Sequence, residues 1–229
     1  MIDFHTHILP AFDDGSKNEQ MTFEMLDLEK SQGVECVALT PHFYAKETDP
    51  DTFLQRREES FRKIEERCPL PVVLGAEVAF YFGISRSREV YRLTYGSSDV
   101  ILLEMPFSRW TMMEVKEVQS LLYNGYIPLL AHIERYIPFK NLSAVKKLRR
   151  EGCLFQMNAE ALTDKTTQKT ALKLVRSGLI DCLGSDSHNL ERRKPNLKEG
   201  WDVLEQNCKP QIVADMRERE RIVFNLITR

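Results

Sequence analysis

The chain has 229 residues, 42% of them hydrophobic, enough for one core of good size and a single domain spanning residues 1–229. Its formal net charge is −2 and its pI about 6.3, so no basic face is imposed and nucleic-acid binding gains no support. There is no signal-peptide pattern and no apolar run nears the roughly 18 residues of a membrane span. Five cysteines without Cys-x-x-Cys spacing argue against a disulfide framework and for a reducing, cytoplasmic setting without membrane insertion.

Met1 to His7 reads as a first strand, on which His5 and His7, two apart, share a face. Pro10 to Lys17 is a loop. Ser16, with Glu19 three residues on, gives a capping-box signature for an amphipathic helix that runs to about Gln32 and stops at Gly33. Val34 to Thr40 is a short apolar strand just before His42. Residues 50–67 are charged, with Leu54, Phe61 and Ile64 at helical spacing, the pattern of a solvated helix. Val72 to Glu77 and Asp99 to Glu104 are strands three and four, each ending on a glutamate, with a less regular stretch from Phe80 to Ser98 between them. A helix from Thr111 to Asn124 leads to the strand Tyr126–His132, and a helix from Leu142 to Arg150 leads to the strand Cys153–Asn158. A helix from Asp164 to Arg176 precedes the seventh strand, Leu179–Asp186. One or two helices follow, with IVFNLI amphipathic near the end.

Apolar strands alternating with helices predict βαβ units and a parallel sheet buried on both faces. Seven units in so short a chain fit a closed or nearly closed barrel. The chemistry-bearing residues fall at one structural place, the C-terminal ends of the strands, where such barrels put their active sites. They are His5, His7, His42, Glu77, Glu104, His132, Asp186 and His188, with Asp13 or Asp14 from the first loop. All five histidines of the chain are in this set. A glutamate closing an apolar strand twice is costly without a partner. Imidazole and carboxylate donors without a thiolate suit Mn, Fe, Zn or Mg, and the number of ligands suits two or three ions. Four carboxylates against three divalent ions leave a pocket of about +2. Arg135, and Arg192 or Arg193, add to that charge and suit a dianionic phosphate.

The segments DFHTH, TPH at 40–42, GAE at 75–77, LLEM at 102–105, AHIER at 131–135 and SDSHN at 185–189 resemble those of the PHP (polymerase and histidinol phosphatase) metallo-phosphoesterases. Within that superfamily HTHILPAFDDGSK, AHIERY and SDSHNLERR look most like the bacterial manganese-dependent protein-tyrosine phosphatases of capsular and exopolysaccharide biosynthesis. The likeness covers roughly residues 1–205, with the region 43–70 and the C-terminal tail poorly matched. It implies a distorted (β/α)7 TIM-like barrel holding Mn2+ in preference to Fe, Zn or Mg. It also implies one ion on His5, His7, Glu77 and Asp186, a second on Glu77, Glu104 and His132, and a third on Asp14, His42 and His188. Arg135 and Arg193 would bind phosphate. The expected reaction is in-line attack of a metal-bridging hydroxide on phosphotyrosine, without a phosphoenzyme. The expected partner is the phosphotyrosine tail of a bacterial tyrosine autokinase, with the oligomeric state open.

No cysteine has an arginine six residues on, as a cysteine phosphatase requires. The alternatives are a small-molecule phosphatase such as one for histidinol phosphate, which would use the same ligands, and a non-catalytic metal-binding module, against which the complete ligand set weighs. Tyr44, Phe80, Tyr81, Phe107 and Trp110 lie near strand ends and are candidate contacts for a phenyl ring. Adjacency of the first and last strands is the sharpest expectation, because it alone brings His5/His7 to Asp186/His188.

Overall fold

The computed structural model describes residues 1–228. It is a ring of parallel strands wrapped by helices. In chain order these are β1 (Ile2–Thr6), α1 (Glu19–Ser31), β2 (Cys36–Leu39), β3 (His42–Phe43), α2 (Pro50–Arg62), β4 (Val72–Leu74), β5 (Glu77–Ala79), β6 (Val100–Glu104), α3 (Met112–Tyr123), β7 (Ile127–Leu130), α4 (Leu142–Glu151), β8 (Leu154–Asn158), α5 (Glu160–Thr163), α6 (Gln168–Arg176), β9 (Cys182–Gly184), α7 (Leu197–Asn207) and α8 (Pro210–Ile227). One expected strand is broken and another gains a continuation. The second ends before Pro41, which has no N–H to donate, as expected, but the chain resumes beyond it as the short β3, and Gly75–Ala76 splits the third into β4 and β5. The pairs β2/β3 and β4/β5 each count as one barrel strand, which gives seven.

The hydrogen-bonded order is β1-β2-β4 in one sheet and β3-β5-β6-β7-β8-β9 in the other. The first and last strands meet at a narrow seam, a parallel bridge between Thr6 and Ser187. There the Asp186 N–H donates to the His5 carbonyl (2.7 Å) and the His7 N–H to the Ser187 carbonyl (2.9 Å). The result is the distorted (β/α)7 barrel, closed where the sequence required closure. Gly184 makes the seam possible: a Cβ there would lie 2.7 Å from His5 Cβ.

Side chains alternate between two cores. Val37, Leu39, Ile101, Leu103, Leu130, Phe155 and Met157 face the helices, whereas Ala38, Val100, Leu102, Leu129 and Cys182 fill the barrel. Val223 and Ile227 of α8 pack into that interior cluster, and the Ile2 N–H donates to Glu220 (3.4 Å). The amphipathic C-terminal helix therefore plugs the N-terminal end of the barrel, and the opposite end is left for chemistry. Among the described residues no helix is long and apolar enough to cross a membrane.

Local details depart from expectation. Helix α1 is capped by Asn18, whose side chain accepts the Met21 N–H, and not by Ser16. The Ser16 hydroxyl is engaged by Thr22 Oγ1 (2.8 Å) and the Asn18 carbonyl (3.0 Å). The helix expected from Asp164 begins at Gln168, because the Asp164 carboxylate accepts the N–H of Thr166 and holds a turn there. The Thr111 helix starts as expected, in a full capping box with Glu114.

Candidate metal centre

The centre is built from strand ends, and β1 needs a local defect to reach it. Its register against β2 runs Ile2–Cys36, Asp3–Val37, then Thr6–Leu39, one residue more on β1 than on β2. This bulge resets the alternation. Phe4 packs inside the barrel, and His5, the next residue, also turns inward, its Nε2 3.3 Å from Glu77 Oε2. Asp186 and His132, each two residues beyond the end of a strand, hold left-handed backbone at φ 54° and 31°, strained conformations that tend to mark functional sites. Gly15 lets the first loop fold back onto His7, where a Cβ would overlap the His7 carbonyl oxygen.

Glu77, buried, is the hub. Its Oε2 lies 3.3 Å from His5 Nε2, 3.4 Å from His7 Nε2 and 2.8 Å from His42 Nδ1, yet it makes no hydrogen bond. Its Oε1 meets His132 Nε2 at 2.8 Å, and His132 Nε2 is 3.5 Å from Glu104 Oε1. Asp186 Oδ1 stands 3.7 Å from His5 and 3.5 Å from His7. Asp14 Oδ1 stands 3.5 Å from His42 and 3.4 Å from His188. Donor atoms that crowd a common point, with Glu77 Oε2, His42 Nδ1 and His188 Nε2 left without hydrogen bonds, are arranged as ligands are. Three groups are compact enough to hold an ion: His7, Asp14, His42 and His188; His5, His7 and Glu77; and His42, Glu77 and Glu104. His132 and Asp186 flank the second and third groups through the distances above.

The imidazoles are oriented from behind. Nδ1 of His7 faces Asp13 Oδ2 at 2.7 Å, Nδ1 of His5 faces Gln156 Oε1 at 3.3 Å, and Nδ1 of His188 faces the Asp186 carbonyl at 2.9 Å. Each contact occupies Nδ1 and turns Nε2 toward the centre. Gln156 Oε1 also accepts the His132 N–H (2.7 Å), and its Nε2 donates to Asn158 Oδ1 (2.9 Å). Asn158 in turn donates to Asp186 Oδ2 (2.8 Å). Two guanidiniums close on the same carboxylate, Arg135 at 2.8 Å and Arg193 at 2.6 Å. The loop that carries Arg193 is wound on Asn189, whose side chain accepts three successive N–H groups from Glu191 to Arg193.

The charges call for a cation. Burial pushes the Glu77 carboxyl up, but the charge of His5 beside it, the His132 hydrogen bond and the close His42 ring hold it well below the usual carboxylate range. Burial and the Glu77 charge push Glu104 up to about 7. Burial would lower His7, yet Asp13 and Glu77 raise it to about 10, so protons supply positive charge at a point where a divalent ion would displace them. A donor set of imidazoles and carboxylates, with Glu77 Oε2, His42 Nδ1 and His188 Nε2 left without hydrogen bonds, fits divalent metal. The thiols are unsuited to nucleophilic work, since burial pushes Cys36 up to about 11 and Cys153 up to about 12.

All nine residues singled out in the sequence, with Asp14 as the aspartate, lie in this one cluster, and Arg135 and Arg193 converge on it. Arg192 is exposed on the same loop. Asp13 serves instead as the support of His7. Three supporting residues were not read from sequence: Asp13 in that role, Gln156 and Asn158. The last two alternate on the otherwise apolar β8, and a polar pair on one face of a buried strand is the signal that marks them. Of the aromatic candidates, Trp110 is core, its Nε1 bonded to the Pro106 carbonyl (3.0 Å). Phe80 and Tyr81 are half-buried, and Tyr44 and Phe107 stay exposed.

Known proteins are similar to this chain in sequence and fold. The tyrosine-protein phosphatase YwqE of Bacillus subtilis (strain 168) is 30% identical over 232 residues, 98% of this chain and 91% of that protein. The tyrosine-protein phosphatase CpsB of Streptococcus pneumoniae is 27% identical over 220 residues, 89% of each. A solved structure from the work on YwqE and CpsB, described as unique metal-dependent tyrosine phosphatases, superposes with a TM-score of 0.83 at 28% identity, covering 95% of this chain and 92% of that one. The family model for capsular polysaccharide synthesis, CpsB/CapC, matches residues 1–220, and the chain belongs to that family.

Proposed function

We propose that this chain is a metal-dependent protein-tyrosine phosphatase acting in capsular or exopolysaccharide synthesis. The observation that carries the reading is the Glu77 carboxylate, met by four imidazoles, beside an Asp186 on which two arginines converge. His5, His7, Asp14, His42, Glu77, Glu104, His132, Asp186 and His188 would hold the ions, Mn2+ first among those the donors suit and Fe, Zn or Mg after it. When bound, the ions supply a water of lowered pKa as nucleophile and positive charge against the phosphoryl oxygens.

The chain's own residues do the rest. Arg135 and Arg193, aimed at one point from two loops, close as forks on the oxygens of a phosphate brought beside Asp186. Asp13, Gln156 and the Asp186 carbonyl keep the imidazoles aligned, so no reorganisation is needed when charge develops. A tyrosyl oxygen, with a pKa near 10, leaves with little help from a general acid. The natural substrate is the phosphotyrosine tail of a bacterial tyrosine autokinase, and the support for this is the family's place in capsule synthesis.

Chelation tests the reading. Phosphate release from a phosphotyrosine peptide should cease on exhaustive chelation and return on adding Mn2+, and should survive Cys→Ser at Cys36, Cys153 and Cys182. Activity indifferent to chelators would refute it. Histidinol phosphate in the same assay separates the small-molecule alternative.

A further inference from the structure

Two exposed aromatic rings stand over the centre without a part in holding it. The Tyr44 ring, 37% exposed, stacks on His42 at 5.2 Å and 28°. The Phe107 ring, 49% exposed, stacks on His132 at 5.7 Å and 20°. His42 approaches Oε2 of Glu77 and His132 meets Oε1, so the two rings stand over imidazoles that share one carboxylate. Next to them lies a cavity of about 590 Å3 walled by Ala45, Phe80, Tyr81, Phe82 and Pro106, with the charged Lys46 and Glu114. Ala45 follows Tyr44 and Pro106 precedes Phe107, so the cavity opens between the loops that carry the two rings. Large aromatic surface left in water beside a polar centre marks a place where something apolar binds.

We propose that Tyr44 and Phe107 flank the aryl ring of the substrate ester, selecting aryl over alkyl phosphates, with the far edge of the ring leading into the cavity walled by Phe80, Tyr81 and Phe82. The inference rests on the phosphatase reading for its substrate class and supplies what that reading lacks, since metals and arginines bind any phosphate equally. Rings at the sides offer offset or edge contacts to a phenyl group and nothing comparable to a methylene. The imidazoles beneath fix where the two rings stand, and so fix the slot before substrate arrives.

Calorimetry on the Mn2+-loaded full chain tests it, with phenylphosphonate and methylphosphonate as unreactive probes. The wild type should prefer phenylphosphonate. That preference should fall about tenfold in Phe107→Ala and in Tyr44→Ala, and Tyr44→Phe should keep it. An unchanged preference in both alanine variants, or equal weakening of both probes, overturns the proposal. Phosphotyrosine turnover is measured on the same samples. A wild type that prefers phenylphosphonate but releases no phosphate supports the slot while sinking the phosphatase reading.

Discussion

At the scale of single residues, the centre is a problem in what stands behind each ligand. Glu77 gathers His5, His7, His42 and His132, and all five were evident from strand-end positions, because few other reasons place a histidine or glutamate there. Gln156 and Asn158 were not singled out, since a neutral amide carries no chemistry until its neighbours are known. Their chain of bonds, Gln156 to Asn158 to Asp186, holds Asp186 in a strained backbone at φ 54°. Asn158→Ala should therefore lower metal affinity or phosphatase activity by about 10- to 100-fold while the fold stays intact. Metal titration alongside circular dichroism checks this, and wild-type affinity in the variant would rule the role out.

At the scale of elements, hydrophobic runs predicted the strands well and their interruptions poorly. Beyond Pro41 the chain resumes as a second short strand, and Gly75–Ala76 breaks another, because the wall must turn where the ligands His42 and Glu77 are presented side by side, as the β3–β5 pairing shows. The bulge in β1 lay hidden for a related reason: strict alternation would send His5 outward once Phe4 points in, and only the register against β2 reveals the extra residue. Capping at Asn18 instead of Ser16 follows from the loop folding onto His7, which gives the Ser16 hydroxyl other partners. The seam between β9 and β1 depends on Gly184. Gly184→Ala would press a methyl against His5 Cβ, 2.7 Å away, and Gln156 Nε2, 2.8 Å away. The variant should lose roughly 1–3 kcal/mol of stability and carry less metal, read by urea denaturation and elemental analysis. A wild-type midpoint and metal content would show that the seam gives way more easily than its geometry says.

At the scale of the whole molecule, α1 carries a buried carboxyl, Glu29, against the buried Asp3 of the barrel. Glu29 and Asp3 face each other out of water, and Asp3 Oδ1 also accepts the N–H groups of His5 (3.1 Å) and Ser185 (2.9 Å). Burial and the Asp3 charge hold the Glu29 pKa well above the ordinary carboxyl value, and burial raises Asp3. A raised folded pKa means that the native state binds a proton the unfolded chain releases, so stability falls as pH rises above the unfolded value of about 4.5. Metal-free Glu29→Gln should lose that part of the slope and gain on the wild type between pH 5 and pH 8, as measured by denaturation midpoints. A wild-type slope in the variant would show that Glu29 is not the group responsible.

The sequence by itself determined the class of fold, the end of the barrel that carries chemistry, and the residue types that gather there. Each of these follows from local rules, namely apolar period, strand length and the cost of burying an unpaired carboxylate. Only the tertiary structure decided how they meet. Closure of β9 on β1 brings Asp186 and His188 to His5 and His7 across nearly the full length of the chain. The bulge aims His5, and the fold-back of the first loop puts Asp13 behind His7 and Asp14 in front of His188. Those choices depend on which backbone lies within hydrogen-bonding distance of which other backbone, a property of the closed ring that no single stretch of the chain contains.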